Sequence, residues 1–320
     1  MSNVTVSSAA VPVVLRPGQA RRSYQNLGPG TSAQCLLTAD DTGGAFTLID
    51  AMFGPGAFVP LHVHTNEDEI FYILEGQWEI QVGDTILEAG PGACINGKRG
   101  IPHSPRNAGD TPGRMLVAST PGGFEQFFDK LEEFGGAPAE PTPAAIGHFL
   151  ALLKDFGMTG LPPAGAVLSR QTAPVQINGV PTDLGDHRVW PLLSSSESNT
   201  DMLMVYVDAD PGAGVPPHIH SREDETFYVL SGTFAIEVNG RTWELGPGDV
   251  GVAPRYLPHS WQCVGMEPGR AIAIVTPGSN FEAFAETMTK AQITPSSPEN
   301  IAMLIGMAQA HGIEMLPPGK

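Results

Sequence analysis

Three cysteines in 320 residues, Cys35, Cys94 and Cys263, are too few and too widely spaced for a disulfide framework, and no CxxC pair offers a thiolate zinc site. They read as small buried hydrophobes. Positive charge is also scarce: 17 Lys and Arg stand against 34 Asp and Glu, for a formal net charge of −17. A field of that sign repels phosphate backbones and anionic membrane surfaces, so nucleic acid is not an expected partner, and a small polyanionic substrate is disfavoured. No apolar run approaches the ~20 residues of a membrane span. The opening stretch, MSNVTVSSAAVPVVLRPGQARR, has no basic residue ahead of its short apolar patch and does not read as a secretory signal. A cytoplasmic location without membrane attachment is expected.

The chain is rich instead in turn formers, with 38 Gly and 30 Pro, and a hydrophobic fraction of 41% is enough for globular cores. Its length fits about two domains. Self-similarity supplies the division. GPGAFVPLHVHTNEDEIFYILEG at 54–76 returns as PGAGVPPHIHSREDETFYVLSG at 211–232, and the copies align without a gap. His62 and His218, His64 and His220, Glu69 and Glu225, Gly76 and Gly232, Gly92 and Gly248, and His103 and His259 are each separated by 156 positions. Within each copy, short alternating segments such as FTLIDAMF, WEIQV and FAIEV sit between Gly- and Pro-rich corners, which predicts an all-β barrel or jelly roll.

Helices are expected only at the end of each copy. Thr142 caps a segment with Pro143 at its first position, an apolar face through Ile146, Phe149, Leu150 and Leu153, and Gly157 as terminator; Ser297, Pro298 and Gly312 repeat the arrangement. Both segments run into LPP, so the boundary falls near Pro163, giving domains 1–163 and 164–320.

The candidate chemistry lies in the repeated polar residues. Residues two apart on a strand share a face, so His62 and His64 aim at one point, as do His218 and His220. The TNED and SRED runs supply a turn that brings Glu69 and Glu225 back to that point, and His103 and His259 complete each set from a neighbouring strand. Three neutral imidazoles and one carboxylate suit Fe(II), Mn(II), Co(II), Ni(II) or Cu(II), one per domain, with positions left open for substrate, water or dioxygen. The lone histidines His148, His187 and His311 read as satisfied core residues. Phe124, Phe127, Phe128 and Phe134 read as core, with a substrate lid as the minor alternative.

These residues resemble the cupins. The first cupin motif is met by Gly56-His62-His64-Glu69-Gly76 and by Gly212-His218-His220-Glu225-Gly232. The second is met by Gly92-Gly100-His103-Asn107, with Lys98 at a usual Pro; the later copy keeps Gly248, Pro254 and His259 but has Tyr256 and Cys263 at the Gly and Asn positions. The resemblance implies two tandem jelly-roll barrels and a bicupin fold, with which a homodimer is compatible. Among bicupins the sequence resembles the bacterial flavonol (quercetin) 2,3-dioxygenases more than the oxalate decarboxylases. The gap between second His and Glu is four residues, and the surroundings (Phe53, Phe58, Phe71, Ile73, Trp78) are apolar, with Arg99 the one basic candidate near the first site. That resemblance implies a small aromatic substrate, dioxygen as co-substrate, and Glu69 or Glu225 as both ligand and base, a role open to a carboxylate at the edge of an apolar pocket if burial raises its pKa. The alternatives on this scaffold are a metal-dependent isomerase or cyclase acting on an enolisable substrate without dioxygen, and a non-catalytic small-molecule-binding bicupin.

Overall fold

The computed structural model describes residues 12–136, 142–162, 168–291 and 298–317. It divides into two compact units, Ala20–Gln176 and a second that begins at Ile177 and includes the N-terminal stretch through Gln19. The expected division near Pro163 falls outside the described residues, as does Ser297, the expected second cap. Ser169–Thr172, beyond that division, pairs in parallel with Thr85–Ala89 at an edge of the first unit.

Each unit is built from two sheets, as the alternating segments require. In the first, one sheet runs Arg22–Gly28, Thr31–Leu37, Thr47–Phe53, Gly113–Thr120, Asp68–Glu75, Cys94–Gly97. The other runs Met158–Gly160, His62–His64, His103–Asn107, Trp78–Val82, Thr85–Ala89, Ser169–Thr172. The second unit repeats this arrangement with Leu203–Ala209, Gly269–Thr276 and Asp224–Ser231 adjacent in one sheet, and Gly214–His220, His259–Cys263 and Phe234–Val238 adjacent in the other. Inward side chains of the first barrel, among them Phe53, Phe71, Ile73, Trp78, Ile80 and Met115, form one buried cluster. Val207, Phe227, Val229, Phe234 and Ile236 do the same in the second. Alternate residues of each strand thus remove apolar surface from water, the main favourable contribution to the fold.

The all-β expectation holds, and among the described residues four α-helices accompany it. Pro143–Asp155 (α2) starts at Thr142, whose hydroxyl accepts from Ala145 N, and stops before Gly157 at φ 69°. Its apolar face is only partly covered: Leu152 and Leu153 are buried, whereas Ile146 and Leu150 are exposed. Pro298–Ala310 (α4) is its counterpart. Glu125–Glu133 (α1) and Ser279–Ala291 (α3) were not anticipated, although Phe124, Phe127, Phe128 and Leu131 already carry a helical spacing. Phe124 and Phe127 are buried in the core as expected, while Phe134 is exposed and stacks on the exposed ring of His148. His187 is buried and hydrogen bonds to Asp186 at 2.7 Å.

After each terminal helix the chain forms a short strand beside the His-bearing one. Met158 and Gly160 pair with His64 and His62, and Ile313 and Met315 with His220 and His218. These short strands cover an edge of the ligand strand and fix its register.

The motif glycines are needed where the sheets turn. Gly76 has φ 89°, and a Cβ there would lie 2.8 Å from Gly113 Cα; Gly56 has φ 74° with open space around it. Gly56→Ala is expected to cost about 1–2 kcal/mol from the left-handed backbone alone, and Gly76→Ala measurably more because backbone must also move. Denaturant unfolding of the two variants checks this order.

Candidate metal centres

In each unit, three imidazoles from one sheet meet a carboxylate from the other. His62 and His103 are directly paired across adjacent strands, as are His218 and His259. Glu69 and Glu225 come from the facing sheet, just after the Asn66 and Arg222 turns. All eight expected ligands are buried, and within each set of four the donor atoms lie within 4.8 Å of one another. Glu69 Oε2 is 3.0 Å from His103 Nε2, 3.6 Å from His64 Nε2 and 3.9 Å from His62 Nε2. Glu225 is 3.3 Å from His259 Nε2 and 3.6 Å from His220 Nε2.

The other ring nitrogen of every ligand histidine is occupied. Nδ1 of His62 lies 2.8 Å from the Pro60 carbonyl, that of His103 3.1 Å from the Ile101 carbonyl, and that of His64 3.2 Å from Glu67 Oε2. The second unit repeats this with Pro216 (2.8 Å), Leu257 (2.9 Å) and Glu223 (3.1 Å). A carbonyl oxygen only accepts, so Nδ1 carries the proton at His62, His103, His218 and His259, and Nε2 presents a lone pair to the centre. Nε2 of His64, His220 and His259 is buried without a hydrogen-bond partner. Each such orphan costs about 1–3 kcal/mol unless something satisfies it. Converging imidazole nitrogens beside a carboxylate are what a divalent cation satisfies, so the residues fit the metal that the donor set implies. The fold holds two potential His₃Glu metal sites, one per domain.

Charge within each cluster follows the same geometry. Burial, with His103 adding repulsion, lowers the His62 pKa to about 4, and burial with His259 does the same to His218. His64 and His220 are also buried, but Glu69 and Glu67, or Glu225 and Glu223, outweigh that and raise them. Burial pushes Glu69 upward, as expected, yet the surrounding imidazoles, His64 foremost, reverse the sign and hold it at about 2; Glu225 behaves alike. The expectation of a carboxylate raised by burial is therefore corrected: at neutral pH both are ionised.

Other supporting residues went unrecognised in the sequence. Glu67 and Glu223 orient the second histidine of each pair, and their recurrence at the same offset was the available signal. Arg99 is paired within the chain: its Nε is 2.9 Å from Asp68 Oδ1 and its Nη2 3.0 Å from the Thr120 carbonyl. Arg255 pairs with Asp224 and the Thr276 carbonyl in the same way. These pairs tie the loop before the last histidine to the strand that carries the glutamate. Asn107, a motif residue, braces a turn through the Phe53, Gly54 and Thr111 carbonyls. Its counterpart Cys263 and the left-handed Tyr256 (φ 68°) also lie in turn and packing positions. Of the expected apolar surroundings, Phe53, Phe71, Ile73 and Trp78 are buried, whereas Phe58 is exposed.

Residues 50–119 and 205–275, which contain the three histidines and the glutamate of each barrel, each match the family profile of the Cupin domain. Among individual relatives, the chain is 24% identical over 299 residues to the quercetin 2,3-dioxygenase of Bacillus subtilis (strain 168), covering 87% of this chain and 86% of that one. Among solved structures, oxalate decarboxylase from Bacillus subtilis superposes with a TM-score of 0.60 at 18% identity, covering 95% and 87% of the two chains. Lactobacillus farciminis oxalate decarboxylase does so with a TM-score of 0.60 at 18% identity, covering 93% and 96%. At these identities the structural likeness carries the fold alone. Among the described residues, no helix is long and apolar enough to cross a membrane.

Two outcomes are expected in solution. Titration of the metal-free protein with Mn(II) saturates near two ions per chain, and near one in the His62→Ala/His64→Ala variant, read by elemental analysis after desalting. Because His64 and His220 hold protons above the ordinary imidazole range, binding expels them and apparent affinity falls as pH drops below neutrality. Calorimetric titration in buffers of different ionisation enthalpy reads the proton release.

Proposed function

We propose that this chain is a metal-dependent enzyme of the quercetinase type, which cleaves a flavonol-like enolic aromatic ring with dioxygen. The observation that carries the reading is the composition of the site's surroundings. Aromatic rings pack directly on the ligands: Phe124 on His64 (5.1 Å), Phe71 on His103 (5.8 Å) and Phe281 on His220 (5.6 Å). The arginines at both loops, Arg99 and Arg255, are committed to aspartates. A small dianion such as oxalate needs a free cation beside the metal, whereas a planar, weakly acidic aromatic needs apolar walls and one base. The similarity to the Bacillus subtilis dioxygenase over most of both chains supports the same reading.

A divalent transition metal held by His62, His64, Glu69 and His103, or by His218, His220, Glu225 and His259, would supply Lewis-acid and one-electron chemistry toward the enolate and dioxygen. The rest follows from the chain itself. The carboxylate of Glu69 or Glu225 takes the enolic proton. Held at about 2, it is ionised at neutral pH and is a weak base, so it takes the proton only from an enol that is itself strongly acidified, and not from an aliphatic alcohol. The aromatic and aliphatic residues behind the ligands keep water from the activated ring. In the overall reaction two ring carbon–carbon bonds break, both oxygen atoms enter the product, and the enolic carbon leaves with its oxygen as carbon monoxide. Nothing in the donor set favours iron over manganese, cobalt, nickel or copper.

The test is incubation of the metal-loaded protein with a flavonol panel, in air and without oxygen, reading oxygen uptake and carbon monoxide. Oxygen-dependent loss of a flavonol is expected, with Glu69→Gln or Glu225→Gln lowering turnover by about 10²–10⁴-fold at the working site. Bound metal with no oxygen uptake on any flavonol would overturn this reading and favour an isomerase or cyclase.

A further inference from the structure

The two metal sites share ligands and geometry but differ one layer out. In both, a glutamate holds Nδ1 of the second histidine. In the first unit Glu67 has His64 as its one hydrogen-bond partner among the described residues, and its side chain is 14% exposed. In the second unit Glu223 is fully buried, and its other oxygen, Oε1, accepts from Nδ2 of Asn280 on α3. Asn280 is itself saturated. Its amide also donates to the His311 carbonyl at 2.8 Å, and its Oδ1 accepts from Arg222 Nη1 at 2.6 Å and from His311 Nδ1 at 3.3 Å. At the matching positions the first unit has Gly123 and Phe124, neither of which can donate from its side chain, and Asn66 stands where Arg222 does.

We infer that Asn280 is a positioning residue that makes the second site the tighter, slowly exchanging metal site, and leaves the first as the labile one. A metal-bound imidazole keeps its orientation and basicity only as well as the acceptor on its far nitrogen is held, and losing such an outer partner typically costs 10–100-fold in metal affinity. Glu223 is fixed at both oxygens by groups that have no remaining freedom, so His220 is pre-aimed. Glu67 can swing with its solvent-facing oxygen, and His64 can turn with it. The inference rests on the metal sites and not on the dioxygenase reading; its readout is metal release, so the two fail separately.

The experiment loads the full chain with Mn(II), adds excess EDTA, and follows release over time. Two phases are expected, differing by about 10–100-fold in rate. The slow phase should persist in His62→Ala/His64→Ala and vanish in His218→Ala/His220→Ala. Asn280→Ala should accelerate the slow phase toward the fast one and leave the fast phase unchanged. Asn280→Asp fills the same space but turns a carboxylate toward Glu223, so it should be faster still. A packing role alone would leave it like the parent. Arg222→Ala, at an exposed position, should shift the slow phase in the same direction by less, and it carries the test if the Asn280 variants do not fold. Equal release from the two sites, or a slow phase unmoved by Asn280→Asp and Arg222→Ala, overturns the inference.

Discussion

Everything in this protein that bears on chemistry depends on the convergence of three imidazole nitrogens and one carboxylate at the centre of each barrel. The imidazoles hang from one sheet and the carboxylate from the other, so the cluster bridges the two sheets across the interior. That arrangement is costly without a cation: it buries an ionised carboxylate and leaves Nε2 of His64, His220 and His259 with no hydrogen-bond partner. The surrounding structure is organised to bear this cost. Carbonyls at Pro60, Ile101, Pro216 and Leu257 and carboxylates at Glu67 and Glu223 hold the far side of every ring, so that only Nε2 faces inward.

Around that centre the apolar and ionic parts of each unit divide the work of placement. The aromatic interior fixes the spacing of the sheets and gives the ligands a low-dielectric setting. The Asp68–Arg99 and Asp224–Arg255 pairs clamp the loop that delivers the last histidine onto the strand that delivers the glutamate. The same pairing engages Nε and Nη2 of both arginines. The barrel is shared with oxalate decarboxylases, and what such a scaffold binds is set by side chains near the metal and not by the barrel.

Duplication has kept the ligands identical while the layer outside them has diverged. Tyr256 occupies a left-handed position that the first copy gives to Gly100, Cys263 replaces the turn-bracing Asn107, and Asn280 has no counterpart. Positions that touch a metal tolerate little change; those that touch only the ligands can drift and, in drifting, make two like sites unequal.

The sequence was sufficient for the repeat, the all-β class, the two potential His₃Glu metal sites and the cap of α2, because each is written in local spacing: two residues along a strand, a glycine at a corner, Thr-Pro ahead of an apolar run. It did not disclose that Glu67 and Glu223 belong to the sites, that Arg99 is already paired, or that Ile146 and Leu150 face outward while Leu152 and Leu153 pack inward. It also misjudged Glu69, whose burial was legible but whose three imidazole neighbours reverse the effect of burial. These are all contacts between segments distant in sequence, or between short-range neighbours whose orientation the fold sets. Local pattern fixes which residues carry donors and charges. Which donor meets which acceptor, and therefore which way a buried group titrates, depends on distances that exist only once the two sheets have closed on each other.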